Sequence, residues 1–170
     1  AGAIVTNNDS LQATIRMLLN HGQIEKYHHK MVGWNARMDG IQGAILTVKL
    51  NHLETWNNKR REHAKLYNQL LTSVDTIIVP KENMHCHHVY HIYAIRVKNR
   101  NELFKKLKKN NIHCNIHYPY PIHLNEAYRS LNKNNGSYPI SERCSEELLS
   151  LPMYPELSHE QIYHVFQKIS

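Results

Sequence analysis

The chain has 170 residues, 41% of them hydrophobic, and a formal net charge of +7 with its 14 histidines counted as neutral. That composition excludes a disordered or low-complexity segment, and the positive balance suits an anionic partner such as nucleic acid, a phosphate ester or a nucleotide-linked substrate. Cys86, Cys114 and Cys144 are odd in number and far apart, which points to a reducing compartment and away from a disulfide framework; no apolar run reaches the ~18 to 20 residues of a membrane span, and AGAIVTNND lacks the basic start of a signal peptide.

The opening AGAIVT has the length and β-branched content of a buried strand. NNDSLQATIRMLLNHG then supplies Asn and Asp as cap candidates, Leu11, Ile15, Leu18 and Leu19 as an apolar stripe, and Gly22 as a stop. A buried strand needs neighbours on both edges, so the chain reads as a piece of a longer polypeptide. From His21 to Arg37 the sequence is polar and without period, which predicts a long loop carrying Tyr27 and Trp34; long ordered loops are often functional.

Asp39 with Gln42 is a capping-box variant, and the helix it opens is expected to run to about Leu71. Its first half is apolar on most of its circumference, with Ile41, Ala44, Ile45, Leu46, Val48, Leu50 and Leu53. Its second half, WNNKRREHAKLYNQLL, is amphipathic, a pattern suited to a connector between two layers or two subunits. Gly40 falls in the first turn, but Gly43 lies inside the helix and costs about 1 kcal/mol against Ala. Close packing is therefore expected there, against the protein's own core or another subunit.

After VDTIIVPKEN comes the alternating strand HVYHIYAIRV, then the helix NELFKKLKKNN burying Leu103, Phe104 and Leu107, then IHCNIHY as another strand, which makes a β-α-β unit. ISERCSEELLSLP reads as a helix stopped by proline, and SHEQIYHVFQKI as a Ser-capped terminal helix with Glu160 in its first turn.

Three clusters invite a chemical reading. HCHH at 85–88 and HCNIH at 113–117 contain no CxxC pair and no His pair of zinc format, so no metal site is expected. NKRR at 58–61 and KKLKK at 105–109 lie on predicted helices with an apolar opposite face, which marks solvated surface and no nucleic-acid interface. In NIHYPYPIHL at 115–124 two prolines stiffen a turn after a strand, so that His117, Tyr118, Tyr120 and His123 can line one concave surface fit for a sugar or diphosphate; an ordinary aromatic turn cluster has the same pattern.

HGQIEKYHHKMVGWNARMDGIQGAILTVKL, HYPYPIHL and SYPISERCSEELLSLPMYPELSHEQI, in that order, resemble the C-terminal half of the DegT/DnrJ/StrS family of pyridoxal-phosphate sugar aminotransferases. The resemblance implies an α/β fold, the C-terminal part of the aspartate-aminotransferase-like (type I) transferase fold. Residues 1–37 would end the large cofactor-binding domain and carry an interface loop, 38–72 would form a long connecting helix, and 73–170 a small C-terminal α/β domain. It implies a homodimer and pyridoxal 5'-phosphate as cofactor. Asn35 of GWNAR matches the asparagine that reaches the cofactor phosphate of the neighbouring subunit, and an amide donor suits that task. Arg37 would support the loop or meet the substrate. His117, Tyr118 and His123 match a stretch that contacts the nucleotide-sugar.

The implied reaction passes an amino group, with glutamate as the expected donor, to a ketone of a nucleotide-linked sugar, C3 being favoured and C4 kept open. The expected setting is cytoplasmic, with no nucleic acid or membrane partner expected. Lys26, Lys30 and Lys49 do not sit in the family's lysine motif, so the Schiff-base lysine is expected upstream of Ala1 and this stretch alone is expected to be inactive. Two other readings stand beside this one. The first is a non-catalytic relative that binds sugar nucleotides or regulates, and the second is a generic anion- or nucleic-acid-binding α/β module.

Overall fold

A computed structural model of the chain describes residues 2–170. It divides into two compact units, one ending at Leu53 and the other running from Glu54 to Ser170.

In the first unit, helix α1 (Asp9–Leu19) is capped by Asn8, whose side-chain oxygen accepts the Leu11 N–H at 2.9 Å. The helix ends where His21 and Gly22 turn left-handed, at φ 59° and 71°, and the Gly22 N–H closes back on Met17 O at 2.8 Å. The expected long loop contains a small antiparallel hairpin, β1 (Gln23–Glu25) and β2 (His28–His29), with Tyr27 left-handed in its turn at φ 70°. The expected opening strand begins at Ala1, outside the described residues; residues 2–6 are exposed and form no strand, because no described segment lies beside them as a ladder partner.

Helix α2 (Gly40–Leu50) begins at Asp39, whose N–H donates to Gln42 Oε1 at 3.2 Å. The single helix expected from 38 to 72 is two helices. α2 ends at Leu50 with Asn51 as its C-cap, and α3 (Leu53–Leu71) follows a tight turn in which Asn51 N–H meets Val48 O and His52 N–H meets Lys49 O. Asn and His are weak helix formers, and these i→i−3 bonds tighten the backbone while Leu50 and Leu53 keep the apolar pattern unbroken across the join. Nor does Gly43 meet the close neighbour expected from its own core, since a Cβ there would find only Met38 Sδ at 3.8 Å.

The second unit holds the core, which runs from Ala64 to Ile169. Its sheet has the order β3-β4-β5, all antiparallel, from β3 (Ile77–Ile78), β4 (Tyr93–Val97) and β5 (Leu148–Leu151). Along β4 Tyr93, Ile95 and Val97 are buried, and Ala94 and Arg96 are half-buried, the alternation of a sheet with one core face. Arg96 pairs there with Glu147 at 2.6 Å. Helices α4 (Arg100–Lys109), α5 (Pro139–Glu147) and α6 (His159–Ile169) complete the unit.

Two expectations change here. The helix read through ISERCSEELLSLP stops at Glu147, and LLSL is strand β5, lying beside β4. The stretch IHCNIHY makes only a single bridge, Asn115 to Ser150, so the anticipated β-α-β unit is a β4-α4 pair whose sheet is completed by a later strand.

The core is organised around Tyr67 and Tyr93, whose rings stack at 4.9 Å and 24°. Both phenols are satisfied, Tyr67 by Pro152 O at 3.1 Å and Tyr93 by Asn68 Oδ1 at 2.8 Å, as buried hydroxyls require. Burial raises both above the ordinary phenol range and pushes the Cys114 thiol up to about 12, so all three stay protonated at neutral pH.

Candidate cofactor and substrate site

The GWNAR loop is fixed by main chain. Trp34 N–H donates to Leu18 O at 2.8 Å, His21 N–H to Trp34 O at 2.8 Å, and Ala36 N–H to Leu19 O at 2.9 Å, which strings residues 34–36 along the C-terminal end of α1. The approach is close because glycine faces glycine. A Cβ on Gly33 would lie 2.2 Å from Gly22 N and 2.8 Å from Leu18 O, and one on Gly22 would lie 1.7 Å from Met31 O. Gly22, read from the sequence only as a helix stop, therefore also opens the space in which the loop lies.

That loop delivers Asn35 and Arg37 together. Arg37 Nε–H donates to Asn35 Oδ1 at 3.1 Å, which turns the amide oxygen toward the guanidinium and leaves its NH2 group to donate. Both residues line a recess of about 470 Å³ with Met38, Asp39 and Gly40, at the N-terminal end of α2. Amide N–H groups, a guanidinium and the positive end of a helix dipole favour an anion, against which only the Asp39 carboxylate counts. Arg37 also borders a second recess of about 440 Å³ formed with the β1-β2 hairpin.

The HYPYPIHL segment lies in the second unit and does not form one concave surface. His117 lines a cavity of about 1080 Å³, and its Nδ1 is 2.9 Å from Ser150 Oγ; Ser150 is itself buried on β5. His123 borders a separate recess of about 490 Å³ and is buried against Glu142, with Nε2 to Oε1 at 2.9 Å. Tyr118 and Tyr120 line neither cavity and are each 71% exposed. The Tyr118 ring stands edge-on to His117 at 5.4 Å.

Glu142 is the residue that sequence reasoning missed in this region. Its Oε2 accepts the Gly136 N–H at 2.8 Å, and its Oε1 accepts the Tyr138 N–H at 3.1 Å as well as the His123 ring N–H. The two backbone N–H groups, with His123 beside them, hold its carboxyl below the usual carboxylate range. It stands in the first turn of α5, where an acid is expected at any helix start, so nothing in the sequence marks it as the tie between three segments. A similar carboxylate, Glu82, gathers Arg61 at 2.8 Å and the His88 N–H at 2.7 Å, and so holds the loop that carries HCHH. Among the described residues no group of three or more His, Cys, Asp or Glu side chains is placed to hold a metal ion.

Comparison with solved structures defines the class first. The S. venezuelae protein DesV, solved in complex with a ketimine intermediate, superposes with a TM-score of 0.93 over 97% of this chain and 44% of that one, at 34% identity. The chain is thus the C-terminal part of a type I aminotransferase fold, as the sequence implied. It belongs to the DegT/DnrJ/EryC1/StrS aminotransferase family, which it matches over residues 1–170. Among curated relatives, a pleiotropic regulatory protein of Geobacillus stearothermophilus is 42% identical over 99% of the chain and 46% of its own length. The dTDP-3-amino-3,4,6-trideoxy-alpha-D-glucose transaminase of Streptomyces venezuelae is 35% identical over 99% of the chain and 44% of its own length. The chain spans about half the length of the curated relatives it matches. No helix among the described residues is long and apolar enough to cross a membrane.

Proposed function

We propose that the chain is the C-terminal part of a pyridoxal-phosphate-dependent aminotransferase that transfers an amino group, with glutamate as donor, to a nucleotide-linked keto-sugar. The observation that carries this reading is the Asn35–Arg37 pair, fixed by backbone hydrogen bonds at an anion-compatible recess in a chain of this family.

Pyridoxal 5'-phosphate, when bound, supplies the amine carrier and electron sink of the reaction. The donor set fits its phosphate, because Asn35 offers N–H groups while its oxygen is engaged by Arg37. Asn35 would hold that phosphate in the neighbouring subunit of a homodimer, and Arg37 would keep the amide turned outward while its remaining N–H groups meet substrate. Support for the dimer comes from α2, where Ile41, Ile45, Val48 and Leu50 are all exposed on a helix with no buried residue.

In the second unit Tyr118 is the group of the HYPYPIHL segment open to a sugar or diphosphate. His117 lies beside it, held by Ser150, and His123 anchors the segment through Glu142. The ketone is assigned to C3, in keeping with the 3-amino sugar named for the Streptomyces relative. A cytoplasmic setting agrees with three cysteines in the free state. A non-catalytic, regulatory role is not favoured, since relatives that match nearly the whole chain are named as sugar transaminases.

The test uses the full-length protein. Asn35→Ala should weaken cofactor binding by about tenfold or more, the worth of a hydrogen bond to a charged group. Asn35→Asp should weaken it further by setting like charge against the phosphate. Cofactor affinity unchanged in both variants, by absorbance titration, would remove Asn35 from the site.

A further inference from the structure

Asn135 is the one asparagine in the sequence that is followed by glycine. It is exposed, in a turn that Asn134 and Ser137 close from both sides. The Ser137 N–H donates to Asn134 O at 3.0 Å, and the Asn134 N–H donates to Ser137 Oγ at 3.1 Å. Gly136 is left-handed at φ 89°, and its N–H is bound to Glu142 Oε2 at 2.8 Å.

An asparagine before glycine is chemically labile. The Gly136 nitrogen can attack Cγ of the Asn135 side chain, forming an N–C bond and breaking the C–N bond to the side-chain nitrogen, which takes up a proton from water and leaves as ammonia. The proton on the Gly136 nitrogen passes to water or a base. One water then opens the cyclic imide to aspartate or isoaspartate, with no change in oxidation state. Glycine exposes the attacking nitrogen because it has no side chain to crowd the ring closure.

In this fold the attacking nitrogen is held by a carboxylate. Loss of its proton would place developing negative charge 2.8 Å from Glu142, and like charges at that range repel strongly. The closed turn on one side and the Tyr138 N–H held by Glu142 on the other also restrict the rotation that ring closure needs. We propose that Asn135 is a deamidation site kept latent by Glu142, the same residue that anchors His123. Conversion to isoaspartate would lengthen the main chain by one carbon and add a negative charge within the turn that Glu142 ties down. Ageing at Asn135 would then loosen the clamp on the HYPYPIHL segment.

The experiment follows deamidation of the full-length protein at neutral pH by peptide mapping, beside a synthetic peptide of residues 130–140. Asn135 in the folded protein should react at least about tenfold more slowly than in the peptide, and Glu142→Ala should bring the two rates together, in line with loss of a charged hydrogen bond. Glu142→Gln, which keeps an acceptor but no charge, should fall between them. Equal rates in folded protein and peptide overturn the proposal without recourse to any variant. So does a folded Glu142→Ala protein whose Asn135 rate is unchanged. If Glu142→Ala unfolds, hydrogen exchange decides on the unmodified protein: protection of the Gly136 amide supports the proposal, and exchange at the free-peptide rate overturns it.

Discussion

The two units both combine helices with antiparallel strands, yet they have opposite interiors. Among the described residues up to Leu53 only Gly22 is buried, whereas the unit from Glu54 to Ser170 contains the whole hydrophobic core. The first is held in shape by main-chain hydrogen bonds and a glycine contact while leaving apolar helix surface uncovered. The second is held by stacked tyrosines and aliphatic packing. Apolar content alone does not tell the two apart: α2 has a higher proportion of aliphatic residues than α3, yet it is α3 that is buried at His63, Ala64, Tyr67 and Leu71. Burial depends on what the rest of the chain places opposite a helix.

Truncating the core is the widest test of that contrast. Tyr93→Ala or Leu149→Ala should destabilise the second unit by about 3 to 5 kcal/mol in denaturant titrations. Ile41→Ala and Val48→Ala should cost within about 0.5 kcal/mol in dilute protein, where α2 is uncovered. A core-sized cost at Ile41 that appears only at high protein concentration would show that association covers α2, and would sharpen the proposal of a dimer.

Gly33→Ala comes next. The added carbon has no room against Gly22 N, so the loop must move, at about 3 kcal/mol by the usual cost of overpacking. Faster hydrogen exchange at the Trp34 and Ala36 amides is the readout, and unchanged protection would break the account of how Asn35 is positioned. Gly43→Ala should have the opposite sign, stabilising α2 by about 1 kcal/mol in the isolated chain, because the site is open within it. A thermal melt separates the two glycines.

The smallest expected effect is an acid limb. Glu142 is held below the usual carboxylate range in the folded state, so its contribution is complete above the unfolded value and is lost as pH falls through the lowered one. Melting temperature followed downward in pH should show a drop that Glu142→Gln flattens. An unchanged limb in the variant would assign the loss to other carboxylates, such as Glu82, which Arg61 and the His88 N–H lower in the same direction.

Much of this was legible in the sequence where the cause is local. Asn8, Asp39 and Ser158 stand where the caps are, and Asn35 and Arg37, two residues apart in GWNAR, are joined by a side-chain hydrogen bond. Elements decided by distant partners were not. LLSL reads equally well as the end of a helix until β4 offers it a ladder, and AGAIVT reads as a strand although nothing described pairs with its residues 2–6. His117 and His123 stand six residues apart but face different recesses, because Ser150 holds one and Glu142 the other. No periodicity reports a tie of that length.

The contact between Gly22 and Gly33 sets a rule for how this loop can drift. Its course is written in missing atoms, so the neighbouring side chains at Val32 and Trp34, both largely exposed, are free to change without moving Asn35. A saturation library over residues 20–38 should therefore show two positions that accept glycine alone, set among neighbours that accept almost anything. Selection for a new anion in the recess could act on Arg37 and Met38 while the frame beneath them stayed fixed.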